Sequence, residues 1–354
     1  MTLRREPCGG AARAEHNLGG VLQTVAEAAR PLGRKLEVAR PGEWWDHKLA
    51  PLLGVAYATA LYAGAALTDL AATLILVLVA LAPGAVYVSV LNDLSDLEAD
   101  RRVGKRNRLE GRSPVIGFVL MATAIAIGFG VACAAWLDDP LTLAFYGAAW
   151  LSFTAYSAPP LRLKERGLAG ALADAAGAHL FPCLFAASAV LDAAGEGVDG
   201  TWLAVVGAWS FALGIRGALL HQFTDAASDV RGGIRTFAVA RPRAARILGA
   251  YLAFPIELCA LVGLVVLAGA WPAIVLLVFY AARERRRSRK WASSLVAVVP
   301  TERYRVALQG YYVSLFPIGI LAAAVVHHPE DVLVLGVHVA LFPLTIVGLF
   351  RDAA

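Results

Sequence analysis

Charged side chains are scarce in this chain, at 17% of its 354 residues against 58% hydrophobic ones. Soluble domains carry about 25% charge, so the composition excludes a water-soluble globule, and it is far too apolar for a disordered chain. Cysteine is nearly absent. Cys8, Cys133, Cys183 and Cys259 stand too far apart for a disulfide framework or a zinc pattern. The first sixteen residues include no apolar stretch of the kind that heads a cleaved secretory signal. What the sequence does have is long apolar runs, and these mark an integral membrane protein.

A bilayer core about 30 Å thick takes roughly 20 apolar residues per helix. Ten segments are candidates: 49–67, 71–91, 114–136, 141–156, 168–191, 202–220, 247–268, 271–283, 305–326 and 331–350, the fourth and eighth being short. Their abundant Ala and Gly let helices pack closely where lipid offers no hydrophobic drive. With the N-terminus inside and sides alternating, 31 of the 32 Lys and Arg fall on inner segments and none on outer loops. That bias orients membrane proteins. It implies an even number of spans with both termini cytoplasmic, as in the plasma membrane of a prokaryote, and it explains the net charge of +5 without any nucleic acid.

The remaining cation, Arg216, lies inside the sixth span. An unpaired charge there is costly, and Glu257 in the seventh span is its expected partner. Residues 1–40 read as a cytoplasmic tail, in which Val21, Val25, Ala28 and Leu32 would form the apolar face of a short interfacial helix. Residues 41–354 then form the membrane domain.

Acidic residues at span ends are where function is sought. The second span runs into Asn92, Asp93, Asp96 and Asp100, which share one stripe of a helix, and the sixth runs into His221, Asp225 and Asp229, spaced i, i+4, i+8. Like charges one turn apart repel, so two such stripes require a compensating cation. Mg²⁺ prefers hard oxygen ligands and binds through one or two carboxylates plus substrate phosphates. Basic residues suited to phosphate follow each stripe: Arg101, Arg102, Lys105, Arg106 and Arg108 after the first, Arg231 and Arg235 after the second. Asp96 and Asp225 stand 129 positions apart, as do Asp100 and Asp229, which suggests two pseudo-equivalent halves facing each other.

These residues resemble the UbiA superfamily of intramembrane prenyltransferases. Asn92 to Asp100 is similar to its NDxxDxxxD motif. Asp225 to Asp229, with Gly233 and Thr236, is similar to its second Asp-rich motif. Tyr156 to Lys164 resembles its YSxPPxRxK loop, and Arg40-Pro41 with Trp44 is a weaker echo. Three departures stand out: ten candidate spans where the family has nine, Lys105-Arg106-Asn107-Arg108-Leu109 where it often has Arg-Pro, and His221-Gln222 where Asn or Asp is commoner.

The resemblance implies an all-α bundle of nine to ten transmembrane helices around a central cavity that opens toward lipid. It implies two Mg²⁺ ions, held by Asp93, Asp96, Asp100, Asp225 and Asp229 and bridging an isoprenyl diphosphate. The prenyl group then moves to a lipophilic or aromatic acceptor with release of diphosphate. On that reading Asn92 binds a diphosphate oxygen or metal-bound water, and Lys105, Arg108, Lys164 and Arg231 contact the diphosphate. Tyr156, Asp174, His221 and Phe223 are candidates for the acceptor and cation pocket. Two other functions fit parts of the pattern. A membrane terpene cyclase would use the same ionising site. An ion-coupled carrier would also place acids in spans, but near the midplane rather than at their ends.

Overall fold

The computed structural model describes residues 37–343; the proposed tail helix, with Val21 to Leu32, and most of 343–350 lie outside the described residues. Helix accounts for nearly all of the rest. A turn at Pro41–Trp44 and a wider one at Trp45–Leu49 lead into α1 (Ala50–Tyr62). There follow α2 (Ala71–Val103), α3 (Pro114–Trp136), α4 (Pro140–Ser157), α5 (Leu168–Ala193), α6 (Gly200–Gly232), α7 (Pro242–Leu267), α8 (Trp271–Lys290), α9 (Tyr311–His327) and α10 (Val332–Leu341). Among the described residues, α2, α3, α5, α6 and α7 are long and apolar enough to cross a membrane.

The helix starts follow from sequence. Pro114, Pro140 and Pro242 open α3, α4 and α7, where a missing N–H costs nothing. Ser113, Asp139 and Asp199 cap α3, α4 and α6 by accepting backbone N–H bonds with their side chains. Large apolar residues such as Phe118 and Val119 on α3, Ile256 and Val262 on α7, and Val275 and Phe279 on α8 are exposed. They form the surface that lipid covers. The interior holds Trp202, Trp209, Tyr146 and Phe185, all fully buried.

Two expectations change in detail. The eighth span does not stop at 283: its helix continues as a charged extension to Lys290. The ninth does not start at 305. Tyr304–Val306 (β2) is instead a strand paired in parallel with Ser294–Val296 (β1), and the helix begins at Tyr311. The reason is Arg305, whose guanidinium bonds the Glu284 carbonyl and Ser288 on the α8 extension and so stays with the charged end of the bundle.

α5 and α6 meet almost at backbone contact. A Cβ on Gly214 would sit 2.8 Å from the Cα of Ala175, so only glycine permits this approach. The contact lies below the acidic stripes and sets how far apart the walls of the site stand.

Candidate functional site

The two long helices end alike. α2 and α6 each have 33 residues and each stops at a left-handed glycine, Gly104 (φ 68°) and Gly233 (φ 72°). Past each glycine the chain turns back, Lys105 N–H donating to the Asp100 carbonyl (2.9 Å) and Ile234 N–H to that of Asp229 (2.8 Å). A side chain seven positions beyond each of these aspartates then reaches back to its carboxylate. Asn107 Nδ2 donates to Asp100 Oδ2 at 2.9 Å, and Thr236 Oγ1 to Asp229 Oδ2 at 3.3 Å. The equivalence of the halves thus extends to the hydrogen bonds that aim their last carboxylates.

Between these ends lies a cavity of about 180 Å³. Ten of the fourteen residues singled out from sequence line it: Asn92, Asp96 and Asp100 from α2, His221, Asp225 and Asp229 from α6, Tyr156 from α4, Asp174 from α5, and Lys105 and Lys164 from the connecting loops. Lys164 Nζ donates to Asp96 Oδ1 (2.6 Å) and Asn92 Oδ1 (3.1 Å). Arg162 donates to Asp96 (2.9 Å) and to the Ser95 carbonyl (2.8 Å). Lys105 stands 3.6 Å from Asp225, linking the α2 loop to α6. Burial draws the Lys164 amine below its usual pKa, while the Asp96 carboxylate opposes that shift.

Four of the fourteen sit elsewhere. Asp93 is buried (6% exposed), 3.5 Å from the Arg40 guanidinium, and its carbonyl accepts from Asn107. Its counterpart 129 positions on, Gln222, is likewise buried and accepts from Ala238 N–H. Arg108 pairs with Glu43, Arg231 is exposed, and Phe223 packs on the apolar cluster around Leu219 and Phe237. Sequence reasoning named Gln222 and Asn107 only as departures from the family pattern and gave Arg162 no separate role. Arg162 occupies the arginine position of the YSxPPxRxK-like loop, which is the signal that pointed to it. Its backbone is left-handed (φ 39°), as is that of Arg40 (φ 55°). Non-glycine residues in that region are uncommon and cluster at functional sites; here both place a guanidinium on the first acidic stripe.

Residues 52–297 match the UbiA prenyltransferase family. The chain belongs to that family. This UbiA protein is 30% identical over 217 residues to the lycopene elongase/hydratase of Haloarcula japonica, and 31% identical over 170 residues to that of Halobacterium salinarum. The matches cover 58% and 45% of the chain and 66% and 54% of those relatives, so it spans just under two thirds and about half of their lengths. Its fold is similar to that of a UbiA homolog from Archaeoglobus fulgidus bound to GPP and Mg²⁺, with a TM-score of 0.53 at 16% identity, covering 84% of this chain and 99% of that one. The same homolog bound to DMAPP and Mg²⁺ gives 0.52 at 17% identity, covering 82% and 99%.

Proposed function

We propose that this UbiA-family protein transfers an isoprenyl group from an allylic isoprenyl diphosphate to a lipophilic acceptor, releasing diphosphate in a Mg²⁺-dependent reaction. One observation carries this: two acidic stripes from equivalent helix ends share one cavity, with Lys105 and Lys164 set among their carboxylates. Asp96, Asp100, Asp225, Asp229 and the Asn92 amide supply the hard oxygens that suit Mg²⁺. Among the described residues no three carboxylate, imidazole or thiol groups converge on one point. Mg²⁺ usually binds through one or two carboxylates plus substrate phosphates. When bound, Mg²⁺ would neutralise charge building on the leaving diphosphate.

The remaining work falls to this chain's own groups. Lys105 and Lys164 donate to the diphosphate oxygens, and Lys164, held by Asn92 and Asp96, is fixed in advance, so it stabilises the leaving group with little reorganisation. Arg162 holds Asp96 in place. Among the described residues, Tyr156 is the only Phe, Tyr or Trp lining the cavity. The likeness to lycopene elongase/hydratases supports a long apolar polyene as acceptor. The lysine and arginine bias of the loops supports a cytoplasmic side for both termini and the acidic ends.

The test uses protein in nanodiscs with Mg²⁺ and allylic diphosphates from dimethylallyl to geranylgeranyl, with and without lycopene or a membrane extract. Diphosphate release and organic products by mass spectrometry are the readouts. An acceptor-dependent product heavier by one prenyl unit is expected. Chelating Mg²⁺ abolishes it, and Asp96→Asn or Asp225→Asn lowers turnover by about 100-fold or more. Wild-type turnover in either variant overturns the metal site, and a cyclic hydrocarbon without acceptor overturns transfer.

A further inference from the structure

Below the acidic stripes a second set of ionisable side chains continues into the bundle. Lys48, in the wide turn before α1, places Nζ 3.0 Å from His179 Nε2 on α5. His179 lies in the π turn Ala176–Leu180, five residues past Asp174 at the end of the preceding α-helical stretch. Asp174 lines the cavity and is within electrostatic reach of both Lys48 and His221. His221 also lines the cavity, about 12 Å along α6 from Asp229. Together they form a polar column that leads down from the diphosphate end.

Ionisable groups at this depth mark function unless a partner neutralises them. Arg216, the other cation near His179, is already matched by Glu257. Lys48, Asp174 and His179 are each half-buried. A charged Lys48 donates to Nε2, which puts the proton of a neutral His179 on Nδ1.

We propose that Asp174 is the base that takes the acceptor's proton, with Lys48 and His179 as positioning residues that keep it ionised and His221 carrying the proton back toward the diphosphate. This rests on the transfer reading above. The C1–O bond of the allylic diphosphate breaks, and its electron pair leaves with diphosphate. An acceptor C=C pair forms the new bond to C1. Positive charge on the neighbouring acceptor carbon is discharged when a C–H bond breaks, its electrons closing a new double bond and its proton passing to the Asp174 carboxylate.

The experiment is a single-turnover reaction in nanodiscs with geranyl diphosphate and lycopene, or the membrane extract if lycopene is not accepted. It compares wild type with Asp174→Asn, Asp174→Glu, Lys48→Met and His179→Gln. It reads diphosphate released and how the prenyl group divides between transfer product and prenyl alcohol. Asp174→Asn is expected to release diphosphate within about tenfold of wild type while transfer product falls about 100-fold and alcohol takes its place. Asp174→Glu restores part of the transfer, and the other two variants shift the same ratio by less. If Asp174→Asn does not fold, the Lys48→Met and His179→Gln ratios decide. An unchanged ratio in folded variants overturns the inference while transfer stands. A wild type that releases diphosphate without acceptor-dependent product overturns transfer, and this inference with it.

Discussion

Asn107 and Thr236 illustrate what single residues do at this site. Neither faces the cavity as a charged group, yet each orients one carboxylate. Asn107, 5% exposed, donates to both the Asp93 carbonyl and Asp100 and accepts from Leu109 N–H, so all its hydrogen bonds are local to the first stripe. Thr236 makes one longer bond to Asp229. Groups that orient metal-binding carboxylates typically contribute 10- to 100-fold in metal affinity. Asn107→Ala should therefore raise the Mg²⁺ concentration for half-maximal activity by about tenfold or more, and Thr236→Val by less. Mg²⁺ titration of initial rates checks this, and two unchanged midpoints would refute it. The acidic stripes were legible in sequence because helix period fixes which residues share a face. That period did not separate Asp93, which is buried beside Arg40, from Asp96 and Asp100, which line the cavity. Lys48 and His179 were not legible as a pair, since 131 residues and no common period lie between them.

Helix ends are the next scale, and the outer end of α6 is held by one carboxylate. Asp199 accepts from the backbone N–H of Thr201 and Trp202, and Tyr62 at the end of α1 donates its hydroxyl to it at 2.6 Å. The Tyr62 ring stacks on Trp202 at 4.3 Å, which fixes that donor. The Tyr62 bond above all, and then the Trp202 amide, hold the Asp199 carboxyl below its usual pKa. A carboxylate with a folded-state pKa below its unfolded value stabilises the protein above the unfolded pKa, near 3.8. That stabilisation is lost as pH falls through the folded value. Asp199→Ala should then melt below wild type at neutral pH, and the two melting curves should converge below about pH 3.8. A gap that persists undiminished in acid would contradict the assignment. At this scale the glycines that end α2 and α6, Gly104 and Gly233, were not read as caps from sequence. The sequence misled at β2, because hydropathy averages over Arg305 and reads the apolar run after it as one span.

Across the whole molecule, one buried ion pair joins α6, which carries the second acidic stripe, to α7. Arg216 on α6 and Glu257 on α7 are 2% and 0% exposed and meet through two bonds of 2.5 and 2.8 Å. Tyr312 on α9 donates to the same carboxylate at 2.8 Å, and Arg216 reaches the Ala297 carbonyl just past β1 at 3.2 Å. Four segments distant in sequence thus converge on one guanidinium, five residues before His221 on α6. Removing one partner leaves a buried charge unmatched, which costs about 3–5 kcal/mol. Removing both leaves an apolar site whose cost is far smaller. Arg216→Met and Glu257→Leu should each lower the unfolding midpoint in detergent sharply, and the double variant should recover most of the loss. Single variants as stable as wild type would mean that the pair is not what holds α6 to α7. The double variant also separates stability from function. If the pair sets the height of α6 as well as its stability, restored folding will come with a residual fall in turnover, because the Asp225–Asp229 stripe will no longer sit opposite Asp96.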